Sequence, residues 1–210
     1  MGFLRRNEVG GTLVEYALVA PLLMTLIVGA IDLSYLLFQW QGAVKGTQIG
    51  ARLAVVMDRA APNLANFDGT GNGSTAKVGD ACMNVGTGAV ISACNFGTVT
   101  CTSTTCTCTG GTCKDNTGKA ISGAPLATFT TILKQMQIVL PQLAATNLQL
   151  KYTANGFGYV GFPASANVTV SIVGLKYQFF ALSALESVFP TSMSIPASSA
   201  TLASEDLKSS

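Results

Sequence analysis

The sequence predicts an α+β fold: a long N-terminal hydrophobic helix continuing into an amphipathic one, then a small domain with a second helix and an antiparallel sheet. Three observations predict it. An apolar run extends from Leu13 to Trp40, all six cysteines fall between Cys82 and Cys113, and apolar residues alternate along the last third of the chain. These divide the 210 residues into a short basic leader at 1–10 and a transmembrane helix at 11–40. An amphipathic extension at 41–61, a Gly/Thr/Cys-rich stapled region at 62–124, and a helix with strands at 125–210 complete the chain.

The apolar run comes first. Between Tyr16 and Ile31 only Thr25 is clearly polar. From Leu13 to Trp40 the run is about 28 residues, or roughly 42 Å as a helix at 1.5 Å per residue. A hydrocarbon core of about 30 Å needs about 20 residues, so the segment spans and projects beyond. Tyr35 and Trp40 then stand where an outer aromatic belt is expected. Arg5 and Arg6 precede the run and Lys45 and Arg52 follow it, so flanking charge only weakly favours a cytoplasmic N-terminus. The competing reading is a cleaved secretory signal, with Val28-Gly29-Ala30 as its cleavage site. Against it, the apolar character continues to Trp40 and Pro21 interrupts the run. Two carboxylates need a reason, because an acid in hydrocarbon costs about 3 kcal/mol on insertion scales. Glu15 lies at the near end, where the helix dipole favours an acid, and Asp32 lies near the outer interface.

After Trp40 the helix is expected to continue until Pro62. Gly42, Gly46 and Gly50 form a small-residue seam, and Val44, Ile49, Leu53 and Val56 an apolar stripe. The seam packs either on the protein's own domain or on neighbouring subunits.

Residues 62–124 show no helical period, and so long an irregular stretch calls for cross-links. The spacing is Cys82-x11-Cys94-x6-Cys101-x4-Cys106-x1-Cys108-x4-Cys113. An even number of cysteines in a polar stretch reads as disulfides formed in an oxidising compartment, which puts the C-terminal body outside the cytoplasm. A zinc site would want close Cys pairs about a dozen residues apart, and no Cys-x2-Cys occurs. The pairing among the six stays open.

Past Pro125, Leu126, Phe129, Ile132, Leu133, Met136, Val139 and Leu140 repeat at helical spacing up to Pro141. Strands follow at Leu148–Tyr152, Val168–Ile172 and Leu175–Phe179, with a short one expected at Phe157–Val160 and an edge strand or irregular tail at Ser192–Ala203. The sequon Asn167-Val168-Thr169 falls inside a strand and carries little weight.

Composition narrows the function. Charged residues are 10% of the chain and the net charge is +2, with no run of basic residues, so nucleic acid is not an expected partner. There is no histidine, which removes the usual general base and the commonest metal ligand. No G-x-S-x-G, phosphate loop or ligand-spaced cluster appears, so neither an enzyme nor a cofactor is expected.

The residues around Glu15 carry a resemblance. A basic leader, Gly10, four residues, then Glu15-Tyr16 and an apolar helix is a prepilin-like pattern. Val14-Glu15-Tyr16-Ala17-Leu18-Val19-Ala20-Pro21-Leu22-Leu23, with Gly29 and Asp32, resembles the TadE-like family, the minor pseudopilins of tight-adherence (Flp-type) pili. The resemblance runs over about residues 9–55 and is only architectural beyond. It implies cleavage by a prepilin peptidase between Gly10 and Gly11, and a part for Glu15, Tyr16, Pro21 and Asp32 in subunit assembly. It implies a single-pass protein of the bacterial inner membrane, with a periplasmic C-terminal domain, that initiates or tips the pilus. The partners implied are the major pilin, other pseudopilins, the peptidase and the inner-membrane assembly platform. A second function stays open: an adhesin, membrane-anchored or pilus-displayed, that binds through the stapled loop.

Overall fold

The structure is a computed structural model and describes residues 8–71, 74–179 and 192–204. Arg5 and Arg6 lie outside the described residues. The described elements are α1 (Glu8–Val56), β1 (Thr98–Cys101), β2 (Cys106–Thr109), α2 (Ala127–Val139), β3 (Leu148–Ala154), β4 (Ala166–Ile172), β5 (Lys176–Gln178), β6 (Ser192–Ser194) and β7 (Ser198–Ser204). The α+β expectation holds: a long apolar helix, a second helix, an antiparallel sheet and disulfides. The chain divides into two units, Met1–Trp40 with Lys176–Ile195, and Gln41–Leu175 with Pro196–Ser210.

The larger unit is built on a five-stranded sheet in the order β2-β1-β3-β4-β7, with every neighbouring pair antiparallel. Alternation sorts its faces. Leu148, Leu150 and Tyr152 of β3 and Ala166, Val168, Val170 and Ile172 of β4 are buried, while Lys151 is exposed and Thr153, Asn167 and Thr169 are half-buried. Phe129, Ile132, Leu133 and Met136 of α2 are buried too, whereas Leu126 and Val139, counted in the same stripe from sequence, stay exposed.

The last turns of α1 join this core through the small-residue seam and not through the apolar stripe. The Val44/Ile49/Leu53/Val56 stripe is not the buried one, since Val44 and Val56 are exposed. Ala43, Gly46, Thr47, Gly50, Ala51 and Ala54 are buried instead. Small residues win because they let the helix backbone approach closely. A β-carbon on Gly50 would sit 2.6 Å from Met136 Sδ and 3.0 Å from Val170 Cγ1. The glycine seam therefore packs on the protein's own α2 and sheet.

The helix stops at Val56, before the Pro62 expected to end it. Arg59 draws the chain inward: it is buried, donating from Nη1 to the Leu64 carbonyl at 2.6 Å and from Nη2 to the Ala164 carbonyl. The Ala60 N–H donates to the Tyr152 hydroxyl at 3.0 Å. Burial pushes the Tyr152 phenol above its usual range, against the opposing effects of that N–H and of Arg59.

Residues 62–124 are less irregular than expected, since they supply β1 and β2. Periodicity could not show this, because a Thr-Val-Thr-Cys strand and a Cys-Thr-Cys-Thr strand carry little apolar contrast. The strands run Thr98↔Thr109 to Cys101↔Cys106 in register. Gly97, at φ 94°, is needed beside them, because a β-carbon there would collide with the Gly110 carbonyl. Two aspartates tie the remaining loops. Asp68 accepts from the Thr70 N–H, the Thr70 hydroxyl and Asn116 Nδ2 at 2.9, 2.7 and 3.1 Å. Asp115 accepts from the Thr117 N–H, the Thr117 hydroxyl and the Lys119 N–H at 2.9, 2.8 and 2.8 Å.

In the smaller unit, among the described residues, β5 pairs only with β6, Tyr177 opposite Met193, so the Leu175–Phe179 alternation does not extend the main sheet. Phe157–Val160 forms no strand, only an isolated bridge of Tyr159 to Ala81. Ser198–Ser204 is an edge strand, as one of the two sequence readings has it.

Candidate functional segment: the apolar helix and its flanks

One helix carries every residue singled out for processing and assembly. Gly10 and Gly11 lie in its first turn, followed by Glu15, Tyr16, Pro21 and Asp32. Each glycine costs a helix about 1 kcal/mol relative to alanine, so the pair weakens this first turn. Glu15 and Tyr16 are exposed. Helical assignment continues across Pro21, whose missing N–H leaves the Ala17 carbonyl without its usual helical donor.

From Leu13 to Ile31 the side chains are exposed almost all round. Leu13, Leu18, Leu22, Met24, Leu26 and Ile31 each expose more than 60% of their surface. A core helix would bury such side chains, so this one is made to be covered by something apolar, and it is long enough to cross a bilayer.

Asp32 breaks that pattern. It is 3% exposed, and the structure places it against the β5–β6 pair. The Tyr177 hydroxyl donates to the Asp32 carbonyl at 3.2 Å, and the Tyr177 ring lies 6.1 Å from that of Tyr35 and 5.1 Å, edge-on, from Phe179. Burial, then the Asp32 charge and Tyr35, push the Tyr177 phenol above its usual range. Glu15 and Asp32 are 17 positions apart, roughly 25 Å along the helix axis, so they are not partners within one chain. Nothing local in the chain marks Tyr177 as a partner of Asp32, because they lie 145 positions apart.

The cysteines are consumed as neighbours: Cys82–Cys94, Cys101–Cys106 and Cys108–Cys113. This settles the choice between disulfides and zinc. Among the described residues no cysteine is free, and no three His, Cys, Asp or Glu side chains converge on a metal-sized site. Around the Cys82–Cys94 loop an open depression of about 400 Å³ is lined by Met83, Val85, Phe157 and Tyr159, of which Val85 is fully exposed.

Residues 10–52 match the family model of TadE-like protein, about a fifth of the chain. The match covers the apolar helix, its glycine pair and the start of the buried seam. No curated protein and no solved structure matches the chain.

Proposed function

We propose, from the TadE-like character of residues 10–52, that this protein is a minor pseudopilin of a tight-adherence pilus, a structural subunit and not an enzyme. The observation that carries the reading is an apolar helix exposed on all sides, with Glu15 at its start just after Gly10-Gly11. Hydrolysis of the Gly10–Gly11 bond by a prepilin peptidase consumes one water and leaves a carboxylate on Gly10 and an ammonium on Gly11. An α-amino group has a pKa near about 8, so the new terminus is mostly charged at neutral pH. When the helix leaves lipid for a filament of apolar helices, Glu15 is surrounded by hydrocarbon. The new ammonium of an adjacent subunit neutralises it there, which fixes the axial stagger between subunits. A single pass through the inner membrane with the C-terminal domain in the periplasm agrees with the three disulfides. Major pilin, other pseudopilins and the assembly platform are the partners this reading expects.

Intact mass tests it. Protein from cells with the peptidase should lack residues 1–10, and protein from cells without it should keep them. A mature chain starting at Ile31 would instead make this an ordinary secreted domain. Retention of residues 1–10 with the peptidase present would leave a plain membrane-anchored protein.

The exposed Val85, Phe157 and Tyr159 beside the Cys82–Cys94 loop favour a second reading, that of an adhesin. Replacing the exposed Val85, Phe157 and Tyr159 together by serine would then spare filament assembly and abolish attachment.

A further inference from the structure

The sequence places the membrane helix at residues 11–40, yet the surroundings of Asp32 do not suit hydrocarbon. Among the described residues the β5–β6 pair beside it is two strands of three residues each, joined to no further strand. Lipid offers backbone N–H and C=O groups no partners, so an isolated two-stranded sheet is not stable in hydrocarbon. Of its exposed side chains, Lys176, Gln178, Ser192 and Ser194 are polar and Met193 alone is apolar. The pair is also attached to the helix, because Tyr177 is 2% exposed, donates to the Asp32 carbonyl and lies with its ring tilted against that of Tyr35. It cannot enter the bilayer, and residues 32–35 cannot enter without it.

We infer that the β5–β6 pair, docked on Asp32 and Tyr35, is a stop that fixes the outer edge of the lipid-contacting surface at Ile31, so that the helix meets lipid only from Leu13 to Ile31. This rests on the proposed membrane anchoring and adds the depth. Leu13–Ile31 is about 19 residues, or roughly 28 Å, which fits a hydrocarbon core of about 30 Å. The run to Trp40 would be roughly 42 Å and would need a strong tilt. Tyr35 then falls at the level of the headgroups, while Trp40 stands about 13 Å beyond Ile31, clear of the bilayer.

Nitroxide depth measurements decide it. A cysteine is introduced singly at Ile27, Ile31, Leu33, Leu37 or Phe38, all exposed in the structure, in the full chain with its native disulfides. Each is spin-labelled in phosphatidylethanolamine/phosphatidylglycerol vesicles and probed with oxygen and a water-soluble nickel chelate. Chelate collisions should be low at 27, rise between 31 and 33, and be several-fold higher at 37 and 38. Labels at 37 and 38 as shielded from the chelate as 27 would overturn the inference while leaving the anchor intact. A label at 27 as open to the chelate as 37, with protein released by alkaline carbonate, would overturn the anchor itself. Asp32→Ala separates the hairpin from the carboxylate. The edge should stay at Ile31, and a move past residue 37 would show that the charge alone had set it.

Discussion

Gly50 offers the sharpest test of how the helix meets its domain. Replacing it with valine adds three carbons where even the first would stand 2.6 Å from Met136 Sδ, 3.0 Å from Val170 Cγ1 and 3.3 Å from Met136 Cγ. Carbon atoms prefer separations of about 3.5–4.0 Å, so helix, Met136 or β4 must shift. Overpacking of this kind costs about 1–3 kcal/mol. Valine is a better helix former than glycine by about 0.3–0.5 kcal/mol, which offsets only a small part. The net loss is about 0.5–2.7 kcal/mol, or a fall in melting temperature of roughly 1–10 °C for a chain this size. Gly42→Ala is the control: its β-carbon would meet Leu140 Cδ1 and the Val139 carbonyl at 3.6 Å, ordinary contact. It should gain about 0.5–1 kcal/mol from helix propensity. Near-UV circular dichroism of the full chain in detergent, disulfides intact, reads both transitions. The double variant Gly50→Val/Met136→Ala should lose less than the sum of its parts, since truncating Met136 makes room. A Gly50→Val protein as stable as the wild type, or a Gly42→Ala protein that loses as much, would refute the claim that the seam is a close intramolecular contact.

Arg59→Met removes two charge-assisted bonds to the Leu64 and Ala164 carbonyls and should cost about 3 kcal/mol, read from the urea midpoint. Burial raises the Asp68 and Asp115 carboxyls, but the Thr70 and Asn116 bonds to the first, and the Thr117 and Lys119 groups around the second, outweigh it and hold both below the usual range. A carboxyl lowered by folding stabilises above its unfolded pKa of about 3.9, and that contribution is lost as pH falls from there through the folded value. Urea midpoints should therefore hold from pH 7 to 5 and drop below about pH 4. The Asp68→Asn/Asp115→Asn protein should begin lower and show a shallower drop, and an unchanged slope would remove these two groups from the account. Replacing Cys82 and Cys94 together by serine opens a loop closed over 12 positions and should cost about 3 kcal/mol, leaving β1 and β2 paired by far-UV dichroism.

What the sequence made legible was whatever leaves a local, periodic or compositional mark. The apolar run, α2 between Pro125 and Pro141, and the alternation of β3 and β4 belong here, because each element's burial is written into its own spacing. The glycine pair and Glu15 were legible as a short motif. Three features were not. The Val44/Ile49/Leu53/Val56 stripe of α1 misleads because hydropathy gives weight to Val44 and Val56, whereas the glycine seam and the alanines beside it pack by proximity. The strands β1 and β2 were missed because threonine and cysteine serve both strand and loop. The docking of Tyr177 on Asp32 joins positions far apart in the chain, and a single sequence carries no mark of such a pairing.

The disulfides have a consequence for how the protein is made. Each cysteine bonds to the next one along the chain, and no bridge encloses another. A chain delivered N-terminus first presents Cys94 while Cys82 is its only available thiol partner, then Cys106 with Cys101, then Cys113 with Cys108. Joining thiols in order of arrival therefore yields the native set. Oxidation alone completes the protein, and no shuffling of wrong bonds is called for.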